Sequence, residues 1–154
     1  MDRANRLARG WFGEQNASVS TDGDLGAWSD VPGLTVTTEL LDDGTTLDVT
    51  AYVDVTAQNA TNPSAATATN CSLRVLVDGE PVGAVAQVQV NSPFSAIPFL
   101  ATLLTDARGS VDAGTHEVKV QISKNPGAYA GTRCVGGGAT FFARGALRVR
   151  AGKD

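Results

Sequence analysis

Apolar and polar residues alternate with a period of two along much of this chain. Leu47, Val49, Ala51, Val53 and Val55 share one parity, while Asp48, Thr50, Tyr52, Asp54 and Thr56 share the other. That is the signature of a strand with one dry and one wet face. The same alternation recurs at Leu73, Val75 and Val77, and at Val118, Val120 and Ile122 against Glu117, Lys119 and Gln121. Leu34 to Thr38, after the turn signal Pro32-Gly33, adds a first strand. Val82 to Val90 and Phe141 to Val149 complete the set. Asp43-Gly44 and Asp78-Gly79 stand between runs, where the pairing of Asp with Gly predicts hairpin turns.

The remaining segments are less regular. Phe94 to Leu104 is largely apolar, contains Pro98 and is too short to span a bilayer. It fits either a buried strand or a short helix across the end of a sandwich. Residues 57–69 and the glycine-rich 125–138 predict loops. Residues 1–15 predict an arm with a short helix, in which Leu7, Trp11 and Phe12 are apolar anchors that gain order only against a partner or the chain's own domain. Seven to nine strands, few helices and no internal repeat predict an all-β fold. The expected architecture is an antiparallel β-sandwich, jelly-roll-like, formed by residues 16–154 behind the arm of residues 1–15. Tyr52, Leu76 and Phe142 are apolar at positions whose parity faces outward, and if clustered they would make a subunit interface.

Composition narrows this little, but charge adds something. A chain of 154 residues with 42% hydrophobic and 18% charged residues suits one domain with an ordinary core. The net charge of −4 argues against wholesale nucleic-acid binding. Arg3, Arg6 and Arg9 against Asp2 and Glu14 leave the first fifteen residues at +1. Arg144, Arg148, Arg150 and Lys153 against Asp154 leave the last eleven at +3, so the middle carries −8. Basic ends on an acidic body can dock on an acidic partner, and ordinary solubility is the other reading. No apolar h-region precedes a small-residue cleavage site, so the expectation is a protein that stays in the cytoplasm where it is made unless it leaves inside an assembly or by cell lysis.

Candidate chemistry is sparse. The single histidine, His116, opens a strand, and no Gly-x-Ser-x-Gly elbow accompanies it. It reads as a strand-edge histidine held by a hydrogen bond. No HExxH, P-loop or GxGxxG occurs, and Gly136-Gly137-Gly138 precedes a strand rather than a helix. Asp22, Asp24 and Asp30 share a Gly-rich loop, but their spacing departs from a calcium-binding EF-hand. Cys71 and Cys134 lack companions at zinc spacing. A bridge between them is open, but nothing points to an oxidising compartment, so buried free thiols are expected. The Asn-x-Ser/Thr triplets at Asn16, Asn59 and Asn70 carry little meaning without a secretion signal. No cofactor, metal, nucleic-acid or membrane role is expected, nor an enzyme.

A resemblance carries the functional expectation further. It rests on Trp28-Ser29-Asp30-Val31-Pro32-Gly33-Leu34, Leu73-Arg74-Val75-Leu76-Val77-Asp78-Gly79, Asp112-Ala113-Gly114-Thr115-His116-Glu117-Val118-Lys119-Val120-Gln121 and Ala146-Leu147-Arg148-Val149. Together these resemble the small β-sandwich proteins of tailed-bacteriophage virions, whose fold is similar to jelly rolls and tumour-necrosis-factor-like trimers. The likeness covers residues 28–149. It implies a structural role in the virion, as a head decoration protein docking as a homotrimer on the major capsid protein, or as a head-fibre, tail or baseplate subunit. The arm, through Trp11 and Phe12, would be the tether. A carbohydrate-recognition module working through loops 57–69 and 125–138 stays open beside it.

Overall fold

The computed structural model describes residues 9–14, 19–21, 27–59, 69–90, 97–104, 111–124, 132–136 and 145–152. Ten strand segments lie among them: β1 (Arg9–Glu14), β2 (Val19–Thr21), β3 (Trp28–Leu40), β4 (Thr46–Asn59), β5 (Thr69–Val77), β6 (Glu80–Val90), β7 (Ile97–Leu104), β8 (Gly114–Lys124), β9 (Thr132–Gly136) and β10 (Gly145–Gly152). All pairings are antiparallel and fall into two sheets. Sheet B runs β3-β8-β5-β6. In sheet A, β10 takes Thr46 to Val53 of β4 and β9 takes Val55 to Asn59, while β7 pairs with Asp48 to Val55. Because β7 shares residues with both, it must lie on the opposite edge. Strands β9 and β10 therefore run end to end along one edge of β4. Strands β1 and β2 follow them in the same way on the far side.

Counting each collinear pair as one strand leaves eight, paired first with eighth, second with seventh, third with sixth and fourth with fifth. A hairpin folded in this order and wrapped into two sheets is a jelly roll. At its fold-back, Val77 faces Glu80 across Asp78 and Gly79, whose φ values of 52° and 83° make the primed turn that a two-residue hairpin prefers. Asp43-Gly44, expected as a hairpin turn, instead carries the chain from sheet B to sheet A. There Thr45 pairs with Val111, and the Ala113 amide donates to Asp43 Oδ1 at 2.7 Å.

The inner faces meet in one core. Leu47, Val49, Ala51 and Val53 of β4, Leu147 and Val149 of β10, Val118, Val120 and Ile122 of β8, and Leu73 and Val75 of β5 are all buried. These are the alternating residues of the sequence, and burying such side chains stabilises by about 1.5 to 3 kcal/mol each. A bulge in β3 resets that alternation. Asp30 pairs with Gln121 and Thr35 with Lys119, so Val31 to Leu34 stand opposite Val120 alone. Gly33, at φ 82°, permits the kink. Leu34, Val36, Thr38 and Leu40 then face the core, while Trp28 and Asp30, also even-numbered, face out. Pro32-Gly33 is thus a bulge inside a long strand, not the turn before a short one.

Two other expectations change. Residues 9–14 form no helix but pair with β10 as strand β1, so this part of the arm belongs to the sandwich. The loop expected at 125–138 contains β9, which pairs with both β2 and β4. The ambiguous apolar run resolves as strand β7.

Candidate functional site

The outer face of sheet A brings together residues from both ends of the chain. On β10, Ala146, Arg148 and Arg150 point away from the core, with parity opposite to the buried Leu147 and Val149. Register places Phe12, Arg148 and Thr50 in one row across β1, β10 and β4. Neighbouring rows set Ala146 beside Tyr52 and Arg150 beside Asp48. These seven side chains line a groove of about 430 Å³. Phe12 is 57% exposed, and the small Ala146 leaves room between it and Tyr52. Among the described residues Arg148 and Arg150 have no hydrogen-bond, ion-pair or ring partner, and Arg150 forms no ion pair even with its neighbour Asp48.

The outer face of sheet B is arranged differently. Asp30 accepts from Lys119 Nζ at 3.2 Å and from Gln121 Nε2 at 2.5 Å. Arg74 donates through Nε and Nη2 to Gln121 Oε1 at 2.9 and 2.7 Å, and its guanidinium lies 4.2 Å from the centre of the Trp28 ring. The hydrogen bond from Gln121 holds the Asp30 carboxyl below its usual range, with Lys119 adding to the effect against the cost of burial. Asp30, Lys119 and Arg74 each have a partner here, whereas Glu39, farther along β3, has none among the described residues.

At the end where β5 turns into β6, His116 joins the turn to β8. Its Nδ1 lies 2.7 Å from Asp78 Oδ2 and its Nε2 lies 2.9 Å from the Asp112 carbonyl. Asp78 also accepts from the Glu117 amide at 2.9 Å. Both partners of the ring are acceptors, so the imidazole satisfies both only when doubly protonated. Asp78 accordingly raises the His116 pKa, against the opposing effect of burial, and Asp112 adds to the rise. Burial works against ionisation of Asp78, but the bonds from His116 and Glu117 outweigh it and lower its pKa. Neither ring nitrogen is left over for a nucleophile, so this pair is a latch rather than part of a triad.

No family model matches the chain, and no curated protein matches it. Solved structures do. The CBM36-1 domain of a multidomain xylanase from the hindgut metagenome of Trinervitermes trinervoides is 10% identical, with 92% of this chain and 96% of that one covered, at a TM-score of 0.43. A chain of the infectious bursal disease virus Gt strain is 11% identical over 100% of this chain, also at 0.43, and one of the Gx strain is 14% identical over 99%, at 0.38. This chain spans only 42% and 38% of those two viral chains. Likeness at this level carries no argument about function.

The residues expected to act divide clearly. Trp11 is half-buried and packs against the sandwich's own core, while its neighbour Phe12 faces out into the groove. Tyr52 lines the same groove, but Leu76, on the other sheet, is only 3% exposed and offers no surface. Leu7, Phe142, Asp22 and Asp24 lie outside the described residues. Asp30 is engaged by Lys119 and Gln121, and among the described residues no group of three His, Cys, Asp or Glu side chains could hold a metal.

Cysteine chemistry departs from expectation. Cys71, fully buried on β5, is disulfide-bonded, and the chain's one other cysteine is Cys134 on β9 in the opposite sheet. The bridge therefore ties sheet to sheet. Arg148 and Arg150 were not singled out from sequence as site residues, although their shared outward parity on the last strand was a readable signal.

Proposed function

We propose that this chain is a non-enzymatic structural protein of a bacteriophage virion, working as a head decoration protein that docks on the shell as a trimer. The observation that supports the reading best is where the unpaired groups lie. Among the described residues two unpaired arginines, Arg148 and Arg150, sit side by side on an open sheet face, and the one histidine is occupied on both nitrogens. A jelly roll of this kind acts through surface area. Of the three anchors first expected, Phe12 is the exposed one among the described residues, since Trp11 stabilises its own core. A decoration role further requires self-association, which covers apolar surface and multiplies weak contacts to the shell.

The test has two parts. Light scattering of the purified chain is expected to give three times the 15.8 kDa protomer mass. The protein is also expected to co-sediment with phage heads and to label heads rather than tails in immunogold images. Labelling on tails or baseplates moves the assignment to that part of the particle. A monomer that neither co-sediments with nor labels any particle overturns the virion reading.

A further inference from the structure

We propose that the groove on the outer face of sheet A is a binding site for a carboxylate-bearing sugar. The inference goes beyond the virion role and does not depend on it. Arg148 and Arg150 are two residues apart on β10 and project from the same face, so their stems start about 7 Å apart. Neither guanidinium has a partner among the described residues. Arginine's planar fork matches a carboxylate bidentately, and an exposed pair left unpaired by its own fold is poised for an external anion.

The other lining residues say what kind of anion. Phe12 and Tyr52 flank β10 on either side, two strand spacings across and two residues along, or about 12 Å apart. Their rings offer apolar surface suited to the C–H face of a sugar ring. Thr50 supplies a hydroxyl, and the Asp48 carboxylate is an acceptor beside Arg150. A densely charged polyanion would meet that carboxylate and be repelled. A ligand with one carboxylate per sugar ring, spaced among many hydroxyls, would use the arginines for its charge and Asp48 and Thr50 for its O–H groups. The volume of about 430 Å³ falls in the range of small-molecule sites, well above what a bare inorganic anion fills.

Full-length protein labelled with ¹⁵N, titrated with trigalacturonic acid, tests this directly. The expected result is saturable shifts of the Arg148 and Arg150 Nε–Hε signals. Arg148→Gln or Arg150→Gln should weaken affinity by more than about tenfold, as loss of a charge-assisted hydrogen bond does. Phe12→Ala should weaken it by about fivefold or more, as loss of a stacked ring does. The methyl ester of the same trimer should bind at least about tenfold more weakly than the acid. These side chains are exposed, so unchanged melting of the variants confirms that the fold survives. Absence of shifts at millimolar ligand overturns the site. So does a hexaglutamate peptide that binds as tightly as the sugar with no dependence on Phe12, which would mark a general anion patch.

Discussion

The two outer faces of this sandwich solve the same problem in opposite ways. Sheet B closes most of its charges on itself: Asp30, Lys119, Gln121, Arg74 and Trp28 form one chain of contacts, Glu39 stands apart from it, and even the outward Leu76 is buried. Sheet A leaves Arg148 and Arg150 unpaired among the described residues, beside an exposed Phe12. That difference is what the binding site proposed on sheet A rests on.

That contrast presumes that the two sheets are locked together, and the largest effect should come from unlocking them. Cys71→Ala removes the cross-sheet disulfide, which closes a loop of about sixty residues and stabilises by about 4 kcal/mol. For a domain of this size the melting temperature should fall by roughly 10 to 15 °C. Calorimetry with and without reductant checks it. If reductant leaves the melting temperature of the wild type unchanged, the bridge does not lock the sheets.

The next effect acts on the mounting of sheet A. A Cβ on Gly13 would stand 2.9 Å from the Gly33 carbonyl oxygen and 3.1 Å from Val36 Cγ2, so β1 approaches the β3 bulge as closely as it does only because residue 13 is glycine. Gly13→Val should cost about 1 to 3 kcal/mol as the strand is forced outward. Because Phe12 is the adjacent residue, the same change should loosen one wall of the groove. Denaturant unfolding measures the cost, and a neutral result would mean that the edge strand is not held there.

A direct comparison of the faces follows. Arg74→Ala removes two hydrogen bonds to Gln121 and the stacking on Trp28, and should cost about 1 kcal/mol. Arg148→Ala removes no hydrogen bond, ion pair or ring contact among the described residues and should stay within about 0.5 kcal/mol of wild type. Equal costs for the two would erase the distinction between a self-satisfied face and an open one.

Much of the scaffold was legible because it is periodic, whereas the groove is not. The strict alternation of β4 and β8 could be read as soon as it was seen, since burying one face of a strand forces it. Strand β1, Arg-Gly-Trp-Phe-Gly-Glu, carries little strand propensity and exists because β10 pairs with it and Trp11 reaches the core. β9 is five residues long and is held by β2 and β4, neither near it in sequence. The β3 bulge inverts parity in mid-strand, which no fixed period can follow. Phe12, Thr50 and Arg148 meet only through register across three strands, and register is set by the assembled sheet. The parity of Thr50 and Arg148 was readable, while that of Phe12, expected on a helix, was not, and neither was their adjacency. The disulfide joins strands far apart in sequence, and compartment reasoning pointed away from it.

The smallest effect isolates the turn end of sheet B. Its latch is complete when His116 is protonated and Asp78 ionised. The raised His116 pKa means that its contribution is full below the ordinary histidine value near 6.5 and is lost as pH rises through the higher folded value. The lowered Asp78 pKa means that its contribution is present above the ordinary aspartate value near 3.8 and is lost as pH falls through the lower folded value. Stability from the latch should therefore be greatest in mildly acidic solution and decline on going alkaline. Asp78 is half exposed, so screening limits the change to under about 1 kcal/mol. His116→Gln should flatten the decline on the alkaline side, as read from melting temperatures across a pH series. A decline that persists unchanged in His116→Gln would place the titrating group elsewhere and leave the latch without a measurable role.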